Sequence, residues 1–145
     1  MKAIYVAGPE PRDRAGRLAA RPVTEVMSSP VLAVAADVPF VEALQTLVRS
    51  GRRHLAVVDP AGRCVGVLAD RAVAAAWAHD PGALARTPVA AGLDPEPALV
   101  DTGARVGDAA KLMRSAGVDA VVVVDAAALP VGIVTGSDLI ALLAR

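Results

Sequence analysis

Val57-Val58-Asp59-Pro60-Ala61-Gly62-Arg63-Cys64-Val65-Gly66-Val67-Leu68 is two apolar runs around a turn, and the chain repeats it as Val123-Val124-Asp125-Ala126-Ala127-Ala128-Leu129-Pro130-Val131-Gly132-Ile133-Val134. Asp59-Pro60-Ala61-Gly62 has the residues of a tight reversal. The flanking runs, Leu55–Val58 and Val65–Leu68, are unbroken and rich in Val, as strands covered on both faces are. The same holds for Val121–Val124 and Val131–Val134. Working outward, the alignment extends without a gap at an offset of 66 positions. Pro22-Val23 falls on Pro88-Val89, Gly51 on Gly117, and Gly66 on Gly132. Ala and Val are too common here for their matches to carry weight. The glycines, the aspartate and the proline carry it, because they stand where the chain must turn.

Each copy has the same order. An extended piece, Val31–Val34 or Pro97–Val100, comes first. A helix follows, with Pro39 suited to its first turn. Val41, Leu44 and Val48 keep helical spacing, as do Val106, Ala109, Ala110 and Met113. Gly51 and Gly117 stop these helices. Two strands come next, then a closing helix from about Asp70 to Ala78 or Ser137 to Leu143. The expected class is α/β: two β-α-β-β-α repeats packed sheet to sheet with pseudo-twofold symmetry. Neither copy is large enough to bury a core alone. The expected division is an arm or linker over 1–21, repeat one over 22–80 and repeat two over 81–145. Residues 8 to 22 have no hydrophobic period and are rich in Pro, Arg, Gly and Ala, which reads as a linker. Residues 3 to 7 offer a short edge strand as an alternative.

Composition narrows the function. Fifteen basic residues balance fifteen acidic ones over 145 residues, which gives no pull toward nucleic acid or anionic lipid. Aromatics are 2 % of a chain that is 54 % hydrophobic, so stacking platforms for single-stranded nucleic acid are almost excluded. Cys64 is the single cysteine. It permits no intrachain disulfide, and with His54 and His79 it makes no metal-ligand spacing. No nucleophile motif or phosphate loop is present. No run approaches the roughly 18–20 apolar residues of a spanning helix. The apolar start, Met1–Gly8, is too short for a signal-peptide core, so the expected compartment is the cytoplasm.

The opening Val23-Thr24-Glu25-Val26-Met27-Ser28-Ser29-Pro30, the central Arg53-His54-Leu55-Ala56-Val57-Val58-Asp59 and the closing Gly132-Ile133-Val134-Thr135-Gly136-Ser137-Asp138-Leu139 resemble a pair of CBS domains, the Bateman module. The resemblance covers residues 22 to 145. It implies a stand-alone regulatory module that binds an adenosine nucleotide or another adenosyl ligand in the cleft between repeats and pairs into a flat dimer. The ligands implied are AMP, ADP, ATP or S-adenosylmethionine, with no tightly held cofactor and no catalysis.

The residues fit that chemistry. A ribose offers a vicinal diol, and one carboxylate accepts from both hydroxyls through strong charge-assisted bonds. Asp138, one turn into a helix that follows a strand, is placed for this, with the Thr135 hydroxyl beside it. The same pair also spells a helix cap. Phosphate calls for multi-donor cations, and Arg53 and His54, with Arg52 beside them, stand at the mouth of a strand. The plain alternative is a solvated basic turn. In the family this position faces the ligand whose ribose is held by the other repeat, which pairs Arg53 and His54 with Thr135 and Asp138. At the corresponding positions of the other cleft stand Ala69 and Ala72, and Val118, Asp119 and Ala120. One competent cleft and one vestigial cleft are therefore expected.

The leading reading is a ligand-sensing module whose regulated protein is unknown. The competing reading is a ligand-free dimerisation or scaffold module that docks a partner protein. The last helix, Asp138–Ala144, is apolar nearly all round and needs cover on more than one side, which points to a homodimer.

Overall fold

A computed structural model describes residues 11–145. The edge strand considered for residues 3–7 lies outside them. The first element is helix α1, Pro11–Ala19, followed by a 3-10 turn at Val23–Glu25. Repeat one then runs β1 (Ala33–Ala35), α2 (Phe40–Ser50), β2 (His54–Val58), β3 (Cys64–Ala69) and α3 (Asp70–His79). A short helix α4 (Ala83–Arg86) and a 3-10 turn (Val89–Gly92) lead into repeat two. That repeat runs β4 (Leu99–Asp101), α5 (Val106–Ala116), β5 (Ala120–Val124), β6 (Pro130–Thr135) and α6 (Gly136–Ala144).

Each repeat makes a three-stranded sheet. β1 runs parallel to β2 and β2 antiparallel to β3, and β4, β5 and β6 repeat this. Alternation along the strands sorts the side chains. Leu55 and Val57 of β2 join Leu68 in a core under α2 and α3. Val121, Val123 and Val134 do the same under α5. The opposite faces meet each other through Ala56, Cys64, Ala120, Val122 and Ile133. The small alanines let the two sheets approach closely enough to share this third core. The expected sheet-to-sheet architecture is what the chain adopts.

The local signals act as chemistry requires. Gly51 and Gly117 both take the left-handed conformation, each at φ 67°, and end α2 and α5. Asp59 and Asp125 hold the two hairpin turns. Asp59 Oδ1 accepts from the amides of Ala61 and Arg63 at 3.0 and 2.9 Å. Asp125 Oδ1 accepts from those of Ala127 and Leu129 at 2.9 and 3.0 Å. The matched aspartates of the repeat are turn residues.

Two expectations are revised. Part of the stretch read as a linker is α1, which packs on α5 and α6. It carries no apolar stripe, and part of what holds it comes from elsewhere in the chain. Arg14 Nη1 donates to the Leu143 carbonyl at 3.1 Å, and Nη2 reaches the Arg145 carbonyl. The Arg105 guanidinium closes the other end on Ala20. Val48, read as part of the apolar face of α2, is 73 % exposed; Phe40, Ala43 and Leu47 are the buried positions.

The repeats exchange their leading segments. Val23 lies in the core of repeat two, and its amide donates to Ala104 O at 2.9 Å. Val89 lies in the core of repeat one, and its amide donates to Val38 O at 2.8 Å. Met27 packs over Gly132, where a Cβ would stand 2.6 Å from Met27 Cγ. Leu93 packs over Gly66, where a Cβ would stand 3.0 Å from Leu93 Cδ1. The glycines matched by the repeat are thus the floor on which the exchanged segments sit.

Candidate functional site

The face-to-face sheets leave two clefts where their strand ends meet. One, of about 260 Å³, is lined by Arg52, Arg53 and His54 at the start of β2 and by Thr135, Ser137 and Asp138 where β6 passes into α6. The other, of about 440 Å³, is lined by Ala69 and Ala72 of repeat one and by Val118, Asp119 and Ala120 of repeat two. Position by position, the fold brings together the residues that the family resemblance paired.

Thr135 and Asp138 make a reciprocal cap at the start of α6. The Thr135 amide donates to Asp138 Oδ2 at 2.9 Å, and the Asp138 amide donates to Thr135 Oγ1 at 3.2 Å. The cap uses Oδ2; Oδ1 has no hydrogen bond among the described residues. Both side chains are half-buried, which is the position of a group that can still receive a ligand hydroxyl.

The cations are partly engaged. Arg53 Nε lies 3.3 Å from Asp70 Oδ2, in a pair that is largely exposed. His54 is nearly buried, and its Nε2 lies 3.0 Å from Asp119 Oδ1. Arg71 Nη2 approaches the same oxygen at 3.9 Å. Partial burial pushes the Asp119 carboxyl up, but the hydrogen bond and charge of His54 and the charge of Arg71 outweigh it. The net result is a carboxyl held below the usual aspartate range. Among the described residues Arg52 has no ion pair.

Sequence reasoning missed three contributions. Asp119 was assigned to the second cleft alone, yet Asp119 and His54 line both cavities. The signal was available: Arg53 and Asp119 are repeat counterparts, both at strand mouths near the pseudo-twofold axis. Asp70, the first residue of α3, is the counter-ion of Arg53. Ser28 lines the smaller cleft because its backbone bridges to Ile133, with Ser28 N to Ile133 O at 2.9 Å and Ile133 N to Ser28 O at 3.0 Å. Cys64 is buried in the inter-sheet core, as expected of a small apolar residue. Among the described residues no group of three or more His, Cys, Asp or Glu is placed to hold a metal ion. No helix there is long and apolar enough to cross a membrane.

The fold, the internal repeat and the inter-repeat clefts together define a class, and comparison with known proteins agrees. The CBS domain family model matches twice, over residues 23–79 and 90–145. The chain belongs to the CBS-domain family, as a tandem pair. No curated protein matches it in sequence. Among solved structures it is similar to the CBS domain pair of protein MJ0100 in complex with 5′-methylthioadenosine and S-adenosyl-L-methionine. That likeness has a TM-score of 0.74 and 25 % identity, and covers 83 % of this chain and 98 % of that one. The CBS domain of a bacterial CNNM/CorC family Mg2+ transporter in complex with ATP gives 0.76 at 21 % identity, covering 93 % and 95 %. The CBS domain of a membrane protein from Sphaerobacter thermophilus gives 0.74 at 22 % identity, covering 90 % and 93 %. The last two speak to the fold.

Proposed function

We propose that this chain is a regulatory module, not a catalyst, that senses an adenosine nucleotide or another adenosyl ligand in the smaller cleft. The observation that carries the reading is the lining of that cleft, where Thr135 and Asp138 of one repeat face Arg53 and His54 of the other. Asp138 takes the ribose hydroxyls through its free oxygen, Thr135 assists, and Arg53 and His54 receive the phosphate or other 5′ substituent. The likeness at 25 % identity to a pair solved with two adenosyl ligands supports it. The chain works as a homodimer. Trp77 on α3 and Ile140 and Leu143 on α6 are 56 %, 66 % and 50 % exposed, which is costly for large apolar groups on one protein unless a second copy covers them.

The test is calorimetry against AMP, ADP, ATP and S-adenosylmethionine with the wild type and Asp138→Asn. The amide keeps an acceptor for the cap and removes the charge. Charge-assisted hydrogen bonds contribute about 1.5–3 kcal/mol each, so affinity should fall on the order of ten- to a hundredfold. Equal affinity in the two proteins would return Asp138 to the cap alone. A second reading, a ligand-free dimerisation module that docks a partner, is favoured by one observation: Thr135 and Asp138 already cap α6 together. Absence of any binding by the wild type, with a dimer in light scattering, would establish that reading instead.

A further inference from the structure

Most of the basic groups at the smaller cleft are already engaged by carboxylates. Asp70, Asp119 and Asp138 stand against Arg52, Arg53, His54 and Arg71 in and around it. Arg53 lies 3.3 Å from Asp70, and His54 and Arg71 lie 3.0 and 3.9 Å from Asp119. Asp119 is the unusual member. Its repeat counterpart is Arg53, so in the larger cleft a carboxylate stands where internal symmetry would supply a guanidinium, and the same carboxylate reaches the smaller cleft. It lines the cleft itself, and it occupies the His54 nitrogen that a phosphate oxygen would need. Space is short as well, since about 260 Å³ lies below the roughly 300–1,000 Å³ of ordinary small-molecule sites.

We propose that Asp119 restricts this cleft to adenosyl ligands carrying at most one phosphate, by holding His54 and by setting a negative charge where a longer phosphate chain would run. The inference rests on the adenosyl reading above and narrows its ligand class. A single phosphate has Arg52, which makes no ion pair among the described residues, and Arg53 in the lining of the cleft to meet it. Each further phosphate adds charge beside Asp119, in a cleft that has no unpaired cation left among the described residues. An uncharged 5′ substituent is indifferent to Asp119.

The experiment measures adenosine, AMP and ATP by calorimetry, without divalent metal and at fixed ionic strength, on the wild type, Asp119→Asn and Asp138→Asn. The wild type should prefer AMP to ATP by tenfold or more. Asp119→Asn should strengthen ATP on the order of tenfold and leave adenosine within about twofold. Asp119 is largely exposed, so the amide is expected to fold, and a melting curve checks it. Should that variant fail to fold, the wild-type AMP-to-ATP ratio decides. A wild type that binds ATP as well as AMP, or an unchanged ratio in Asp119→Asn, overturns the inference. The adenosyl reading stands or falls separately, on whether Asp138→Asn weakens adenosine and AMP together. Failure of all three ligands to bind the wild type overturns both.

Discussion

Val23 is fully buried in the core of the second repeat, and Val89, its counterpart, is fully buried in the core of the first. Each repeat is therefore completed by a residue that precedes the other. Neither sheet-and-helix unit closes its core with its own segment alone, so opening one core uncovers a residue tied to the other.

That arrangement predicts a single melting transition and symmetric sensitivity. Val23→Ala and Val89→Ala should each cost about 2 kcal/mol and each lower the one transition. Two resolved transitions in calorimetry, with only one displaced by Val23→Ala, would show that the repeats melt independently.

Ala128 predicts a gain. It sits at φ 65° in the second hairpin turn, where its counterpart Gly62 sits at φ 84°. A left-handed backbone costs an alanine about 1–2 kcal/mol relative to glycine. Ala128→Gly should recover roughly 1 kcal/mol, and Gly62→Ala should lose a similar amount. Urea denaturation of both variants reads the signs, and a destabilised Ala128→Gly would contradict the account.

Asp119 predicts a pH window. Its folded carboxyl titrates below the ordinary value of 3.8, so its contribution to stability is fully present above that value. The contribution is lost as pH falls through the depressed folded value. The pair is partly exposed, which limits it to under about 1 kcal/mol. The difference in urea midpoint between wild type and Asp119→Asn should shrink as the pH falls below 3.8. A difference that grows as pH falls would reverse the sign.

Stoichiometry is the last prediction. One adenosyl ligand should bind per chain, because the larger cleft has Ala69 and Ala72 where the smaller has Thr135 and Asp138. Ala72→Asp alone should leave the stoichiometry at one. The restored acid would face Asp94, Glu96 and Asp119, and the basic groups that line this cleft, His54 and Arg71, are already engaged by Asp119. Calorimetry giving two equivalent sites in either protein would refute the pairing.

The repeated grammar was legible because its punctuation is local. Gly51 and Gly117 end helices, and Asp59 and Asp125 fold turns, by interactions within a few residues. The pairing of cleft positions came from the family resemblance, and the repeat offset carried it over to the second cleft. α1 was not, since it has no apolar period and takes its support from Arg105 and the far end of the chain. The exchange of Val23 and Val89 was visible only as a repeated Pro-Val; which sheet each would join is a long-range choice that no local pattern encodes. The ion pairs were hidden for the same reason. Arg53 and Asp70, like His54 and Asp119, meet only once strands and helices are docked.

Arg14 of α1 grips the carbonyls that close α6, so the two ends of the described fold are neighbours. Topologically the fold is almost a ring. Such a body can be spliced into a surface loop of a larger protein with little distortion of the host, or be joined end to end and reopened at another turn. In either setting a pull on the flanking chain would fall first on the contact between α1 and α6, where it would peel one helix away while the paired sheets and the clefts between them stay unloaded.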